Sequence, residues 1–123
     1  MLTFRLHMNF SSQAVDEAGA TLRSLVGPVR SEPGCSATRV LGGAEGGGEF
    51  TWLSEWRTID DFERHLRTPT FRQIVAVIEL AAGPPDVEID EVNSRRGFEF
   101  IEEILSRGRN RVSIPGPPER TAK

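Results

Sequence analysis

The chain contains two histidines, His7 and His65, whose imidazoles are the side chains best suited to proton transfer near neutral pH. His65 stands beside Leu66 in a short stretch with helical spacing, where it could act as a general base or as a hydrogen-bond partner for a ligand. Alternatively, His65 packs locally at the end of that helix and interacts with nearby carbonyl groups. The residue type leaves both roles open.

Metal and thiol chemistry have less support in the sequence. His7 and His65 fall on different predicted elements without a carboxylate at ligand spacing, so we expect no metal site. Cys35 is the only cysteine, and no His or Lys adjacent to it in the sequence would activate the thiol. A lone thiol excludes an intrachain disulfide and suits a reducing compartment, so we expect a cytoplasmic protein.

Four side chains are candidates for contacting a ligand. Trp52 and Phe71 could line a pocket for a planar molecule, although large aromatic residues in a small domain are usually core. Arg39 could bind an anionic substrate or pair with Glu55 across the sheet. His7, on the polar side of the first predicted strand, could contact a ligand or face a second subunit.

The elements that must position these residues follow from hydrophobic periodicity. Residues 2–10 alternate strictly between apolar and polar side chains, which is typical of a half-buried strand. Ser11 and Ser12 offer an N-cap for a helix, and Thr58 precedes another helix start. The predicted strands are 2–10, 35–41, 49–56 and 86–92, and the predicted helices are 12–31, 59–67, 69–82 and 97–107.

This order, β-α-β-β-α-β with the second helix split in two, predicts an α+β ferredoxin-like fold. Its antiparallel four-stranded sheet would carry both helices on one face. We expect a domain over residues 1–93, a C-terminal helical extension over 94–108 and a flexible tail over 109–123. The helix 59–67 is expected to turn Ile59, Phe62 and Leu66 inward.

Composition excludes several classes of partner. The formal net charge is −3 over 123 residues, and nucleic acids or anionic membranes favour a basic surface. The start of the chain lacks the apolar run of a secretory signal, and no stretch has the ~20 apolar residues that span a membrane. We therefore expect neither nucleic acid nor membrane as a partner.

The predicted sheet has one face without helices, and that face must be polar or buried. Apolar residues occur on both faces of the third strand, with Trp52 on one and Leu53 on the other. On the fourth strand, Val87 and Ile89 share one face while Val92 lies on the other. We therefore expect a homodimer through the open sheet face, because a twofold interface buries it with one self-complementary patch. The C-terminal helix could cross onto the partner subunit or fold over its own sheet.

Two motifs resemble the antibiotic biosynthesis monooxygenase family of dimeric α/β-barrel proteins. The first is the run Val29-Arg30-Ser31-Glu32-Pro33-Gly34-Cys35 at a helix-to-strand turn. The second is Glu55-Trp56 followed by Asp61-Phe62-Glu63-Arg64-His65-Leu66 and then Thr68-Pro69-Thr70-Phe71. The resemblance covers roughly residues 2–93.

The resemblance implies a dimer and a pocket in each subunit between sheet and helices. Some members oxygenate quinol-like or polycyclic aromatic molecules without metal, flavin or other cofactor, because the deprotonated substrate itself reduces dioxygen. It also implies a polar first-strand residue, often Asn, that orients substrate or oxygen, for which Asn9 is the candidate. The predicted activity is a cofactor-independent monooxygenase of a quinol or other phenolic aromatic, with His65 and Asn9 as catalytic candidates.

Two alternatives remain at the level of sequence. One is a non-catalytic dimer of the same fold that binds a small ligand or a partner protein, since fold does not determine function. The other is the haem-degrading branch of the family, which places a haem-ligating His where Val75 stands here. Residues 68–82 contain no His, so the sequence disfavours haem degradation.

Overall fold

A computed structural model describes residues 1–43 and 47–110 of the chain. Four strands and four helices follow one another along these residues. In chain order they are β1 (Leu2–Asn9), α1 (Val15–Arg30), β2 (Cys35–Gly43), β3 (Glu49–Trp56), α2 (Ile59–Leu66), α3 (Pro69–Glu79), β4 (Asp86–Glu91) and α4 (Phe98–Asn110).

The four strands form one antiparallel sheet in the order β2-β3-β1-β4. This is the ferredoxin-like arrangement, so the predicted α+β fold is confirmed. In the pairing of β1 with β3, Leu2 lies opposite Trp56 and Asn9 lies opposite Glu49, so these two pairs mark opposite ends of the sheet.

The core lies between the sheet and the helices. Alternate residues of β1 point into it, because successive side chains of a strand point to opposite faces. On β3 the same alternation buries Phe50, Trp52, Ser54 and Trp56. The buried side chains of β1 are Leu2, Phe4, Leu6 and Met8.

Side-chain caps define the starts of two helices. The Thr58 hydroxyl accepts a hydrogen bond from the Asp61 amide at 3.1 Å, and the Thr68 hydroxyl accepts one from the Phe71 amide at 3.1 Å. The predicted cap from Ser11 or Ser12 is wrong. α1 starts at Val15 without a side-chain cap, and the Ser11 carbonyl accepts from the Val15 amide instead.

The inward face of α2 differs from the prediction. On α2, Phe62 and His65 are buried, while Ile59 and Leu66 are exposed. A hydrophobicity pattern predicts that Leu66 is buried, but the fold buries His65 instead, because its imidazole has a hydrogen-bond partner inside the protein. On α3 the buried residues are Ile74 and Val77, Phe71 and Ile78 are half-buried, and Val75 is exposed.

The fourth strand turns its apolar side chains toward the helices. Val87 lies opposite Leu6 and Ile89 opposite Phe4, so both share the face of the core residues, yet they are 52% and 51% exposed. They therefore do not make the open face apolar, which was one argument for burying that face in a dimer. Among the described residues, the open face carries Leu41 and Leu53 together with the charged or polar side chains of Arg5, His7, Arg39, Thr51, Asp86, Glu88 and Asp90.

The chain divides into two compact units, Met1–Asn93 and Ser94–Lys123. The second unit contains α4, which continues to Asn110 and so runs beyond the predicted end at residue 107. The flexible tail predicted over 109–123 otherwise falls outside the described residues from 111 onward. No helix among the described residues has the length and apolar character needed to cross a membrane.

Candidate active site

His65 forms a buried pair with Glu32. Its Nδ1 lies 2.8 Å from Glu32 Oε1, and the two side chains are 0% and 15% exposed. An ionised carboxylate only accepts hydrogen bonds, so the tautomer of His65 that pairs with an ionised Glu32 carries its proton on Nδ1. In a neutral imidazole this leaves the lone pair on Nε2, which is the arrangement of a general base oriented by a carboxylate.

The turn between α1 and β2 fixes Glu32 against α2. The Glu32 carbonyl accepts from the Cys35 amide at 3.1 Å, and the Gly34 carbonyl accepts from the Arg57 amide at 2.8 Å. Gly34 has a φ of +83°, and a Cβ there would lie 2.2 Å from the Asp61 carboxyl group. Only glycine fits both the backbone conformation and the space, so this turn can approach α2 closely enough for the pair to form.

Aromatic rings enclose the imidazole. The Trp56 ring stacks on it with centroids 4.5 Å apart and an interplanar angle of 28°. Phe71 meets it edge to face at 5.3 Å, and the Phe62 ring is 6.3 Å away. Trp56 is held in turn by a 2.9 Å hydrogen bond from its Nε1 to Ser54 Oγ. The indole therefore packs against α2, as its position just before that helix predicts.

Three buried polar atoms in this layer have no hydrogen-bond partner among the described residues: His65 Nε2, Glu32 Oε2 and Trp52 Nε1. Buried polar groups are nearly always satisfied, and leaving one unpaired costs about 1–3 kcal/mol. In the tautomer with its proton on Nδ1, His65 Nε2 carries a lone pair that could accept a proton from a ligand. Trp52 is fully buried at mid-strand, opposite Leu6, so it also belongs to the core.

Beside this pair lies an exposed apolar surface, which we call the Phe71–Ile89 patch. The Phe71 ring is 6.4 Å from the Phe4 ring, and Ile89 lies opposite Phe4 on the neighbouring strand. Side chains directly opposite on adjacent strands are neighbours on one face. Val75 follows Phe71 by one helical turn. The patch consists of Phe71, Val75, Val87 and Ile89.

A separate polar cluster occupies the open face of the sheet. His7 Nδ1 is 2.8 Å from Thr51 Oγ1, and its Nε2 is 4.0 Å from Glu49 Oε1. Arg5 pairs with Glu88 at 2.7 Å. A cavity of about 250 Å³ is lined by Arg5, His7, Thr51, Asp86 and Glu88.

The predicted site residues therefore fall into separate places in one subunit. His65 and Phe71 are in contact, and Trp52 lies in the same layer. His7 and Arg39 lie on the other face, where Arg39 is exposed and opposite Leu53. Asn9 is exposed at the far end of β1, about 23 Å along the strand from Leu2, the residue opposite Trp56. One subunit does not bring Asn9 and His65 together.

Sequence reasoning missed Glu32 as a site residue. It stands 33 positions before His65, and its motif was used only as a mark of the fold. The available signal was a carboxylate, Glu32, in the same turn as Gly34. The sequence spacing between this turn and His65 does not indicate that Glu32 contacts α2. Among the described residues, no group of three or more His, Cys, Asp or Glu side chains could hold a metal ion.

The comparisons with known proteins agree with this architecture. The profile of the antibiotic biosynthesis monooxygenase family matches residues 1–77, so the chain belongs to that family. No curated protein sequence matches it significantly.

Solved structures share this fold over about three quarters of the chain. A crystal structure of an antibiotic biosynthesis monooxygenase is 22% identical, covering 76% of this chain and 100% of that one, with a TM-score of 0.68. Rv0793 from Mycobacterium tuberculosis is 21% identical over 78% of this chain and 98% of its own, with a TM-score of 0.69. PA3566 from Pseudomonas aeruginosa is 24% identical over 77% and 94%, with a TM-score of 0.63. At these identities the structures show the shared fold.

Proposed function

We propose that the protein is a cofactor-independent monooxygenase of a quinol or other phenolic aromatic molecule, with His65 as the general base and Glu32 as its positioning residue. The observation that carries the proposal is the buried His65–Glu32 pair, whose Nε2 has no partner among the described residues. Membership of the family supports the reaction class.

The surroundings of the pair favour an aromatic substrate. The rings of Trp56 and Phe71 contact the imidazole, and the adjoining Phe71–Ile89 patch exposes apolar side chains that a planar molecule could cover. Because His65 is 1% exposed, a substrate reaches Nε2 only after a side chain in contact with the imidazole moves, and the half-buried Phe71 ring is the candidate. The expulsion of water would strengthen each electrostatic contact inside.

The reaction balances without an added reductant. The phenolic oxygen gives its proton to His65 Nε2, and the electron-rich anion passes one electron to dioxygen. The two radicals join as a carbon-bound peroxide, whose O–O bond breaks as a carbonyl forms and water leaves. A hydroquinone and dioxygen thus give a hydroxyquinone and water. The protein orients the ring and holds one proton.

The test is oxygen uptake with a panel of hydroquinones and anthrones, comparing wild type with His65→Gln. General-base catalysis is typically worth 10²–10⁴-fold, so we expect a loss of about 100-fold or more. His7→Gln is the matched control, because His7 is the other histidine and lies on the opposite face. It should change the rate less than twofold. Turnover of no substrate by the wild type, or equal turnover by a folded His65→Gln, would remove the proposal.

A second candidate is a non-catalytic module that binds a small apolar ligand. The complete burial of His65 favours it, because a histidine sealed between Trp56 and Glu32 can serve to stabilise the fold alone. This reading predicts that an aromatic ligand binds wild type and His65→Gln with similar affinity and is recovered unchanged under air. Calorimetry with product analysis by mass spectrometry separates the two candidates.

The homodimer through the open sheet face belongs to the same proposal. Leu41 and Leu53 on that face support it, whereas the charged cluster around Arg5 would have to pair across the interface. Sedimentation equilibrium at micromolar concentration tests it. A folded species of 13.6 kDa would contradict it.

A further inference from the structure

The imidazole of His65 is closed to solvent, but one of the rings that enclose it reaches the surface. His65 is 1% exposed, and the rings in contact with it belong to Trp56, Phe62 and Phe71. Trp56 and Phe62 are buried, whereas Phe71 is half-buried. Of these three rings, Phe71 is therefore the one with a solvent-facing side into which it can turn. All four residues lie within the first compact unit.

The two buried rings are fixed by further contacts. Trp56 donates from Nε1 to Ser54 Oγ at 2.9 Å. The Phe62 ring lies 5.2 Å from the Phe4 ring and 6.2 Å from the Trp56 ring. The Phe71 ring has a longer separation of 6.4 Å from the Phe4 ring and meets the imidazole by its edge. Turning the Phe71 ring therefore breaks an edge contact and no hydrogen bond.

The backbone that carries Phe71 is tied to the backbone that carries His65. The Thr68 hydroxyl donates to the His65 carbonyl at 2.7 Å and accepts from the Phe71 amide at 3.1 Å. The Thr68 amide also donates to the His65 carbonyl at 3.0 Å, and Pro69 starts α3 with a restricted φ. The run 68–71 thus holds the base and the ring at a constant backbone spacing. Under this restraint the ring leaves the imidazole by turning about its own side-chain bonds.

We propose that Phe71 is the gate of the His65 site: its ring turns outward to admit a ligand and returns to exclude water, while the corner between α2 and α3 stays in place. The size of the side chain at position 71 then sets how readily a molecule reaches Nε2. The inference rests on the proposed function only where it takes the ligand to be the phenolic substrate. Access to the imidazole is independent of any reaction.

Acylation of His65 by diethyl pyrocarbonate measures this access without a substrate. The reagent attacks an unprotonated imidazole nitrogen, and in a His7→Gln background His65 is the remaining histidine, so mass spectrometry of its peptide follows one site. We expect Phe71→Ala to react about tenfold faster or more than the His7→Gln parent, because the edge contact and the partly buried ring are lost. Phe71→Leu should react at an intermediate rate. Gln73→Ala, at an exposed position on the same helix, should stay within about twofold of the parent.

Two controls separate opening of the gate from unfolding. Val77→Ala destabilises the fold from a buried position on the same helix, and its acylation rate should stay within about twofold of the parent. Urea at about 1 M should also change the parent's rate less than about twofold, because turning one side chain exposes little surface. Acylation that required unfolding would instead become about fivefold faster or more.

Two results would overturn the gate. The first is a folded Phe71→Ala protein that reacts no faster than Gln73→Ala. The second is a rate that rises in urea and in Val77→Ala as unfolding predicts, because the reagent would then reach His65 through the unfolded chain. The assay uses neither substrate nor turnover, so its failure is distinguishable from failure of the proposed monooxygenase activity.

Discussion

Replacement of Glu32 by alanine probes the buried pair most simply. The change removes the acceptor of the 2.8 Å hydrogen bond and leaves His65 Nδ1–H, with a fully buried side chain, without a partner. An unsatisfied buried donor costs about 1–3 kcal/mol, so we expect Glu32→Ala to lower the free energy of unfolding by about 2 kcal/mol. For a domain of this size that corresponds to about 10 °C in Tm.

Chemical denaturation followed by tryptophan fluorescence measures this loss, because Trp56 stacks on the affected imidazole. Glu32→Gln keeps an acceptor oxygen and should lose about half as much, about 1 kcal/mol. Glu49→Gln is the matched control, since that carboxylate is exposed and 4.0 Å from His7, and it should stay within about 0.5 kcal/mol of wild type. A Glu32→Ala protein as stable as the Glu49→Gln control would refute the buried-pair reasoning.

Further changes test the turn and the helix cap that position the site, and the proposed dimer interface. Gly34→Ala should destabilise the protein by about 2 kcal/mol or more, because it combines a positive φ with a Cβ contact at 2.2 Å. Gly27→Ala, at an open position within α1, should stabilise the protein by about 0.5–1 kcal/mol. Thermal denaturation measures both changes, and a Gly34→Ala protein of wild-type stability would contradict the close approach of this turn to α2. Thr58→Ala should lower the free energy of unfolding by about 1 kcal/mol, because α2 loses its cap, and Thr58→Ser should restore the stability in the same thermal denaturation. A loss that serine does not restore would rule out the hydroxyl as the source of this stability. Leu53→Glu should shift the sedimenting species toward monomer if the open faces pair, and an unchanged mass would argue against that interface.

Local sequence signals predict most of the secondary structure of the first unit. The alternation in β1 predicts its faces directly, since every other residue is apolar. The hydroxyls of Thr58 and Thr68 mark helix starts because each can bond an amide three residues later. Ser11 offers the same hydroxyl but is not used, because α1 begins further on at Val15.

The site was harder to predict because its contacts are distant in sequence. A hydrophobicity pattern buries Leu66, whereas the fold buries His65, whose partner Glu32 comes from another turn of the chain. Likewise, Val87 and Ile89 could be assigned to a common face from the sequence. Which face that is depends on the register with β1.

The central claim is that His65 keeps a free lone pair on Nε2 while Nδ1–H binds Glu32. The protonation of the ring nitrogens is measured directly by long-range ¹H–¹⁵N NMR of the full chain at neutral pH, where the two histidines give two sets of ring signals and His65→Gln assigns them. The account predicts a neutral His65 with its proton on Nδ1 and an Nε2 that shifts when a phenolic ligand is added. A proton fixed on Nε2 in the free protein would contradict the claim, because no base would then face the ligand.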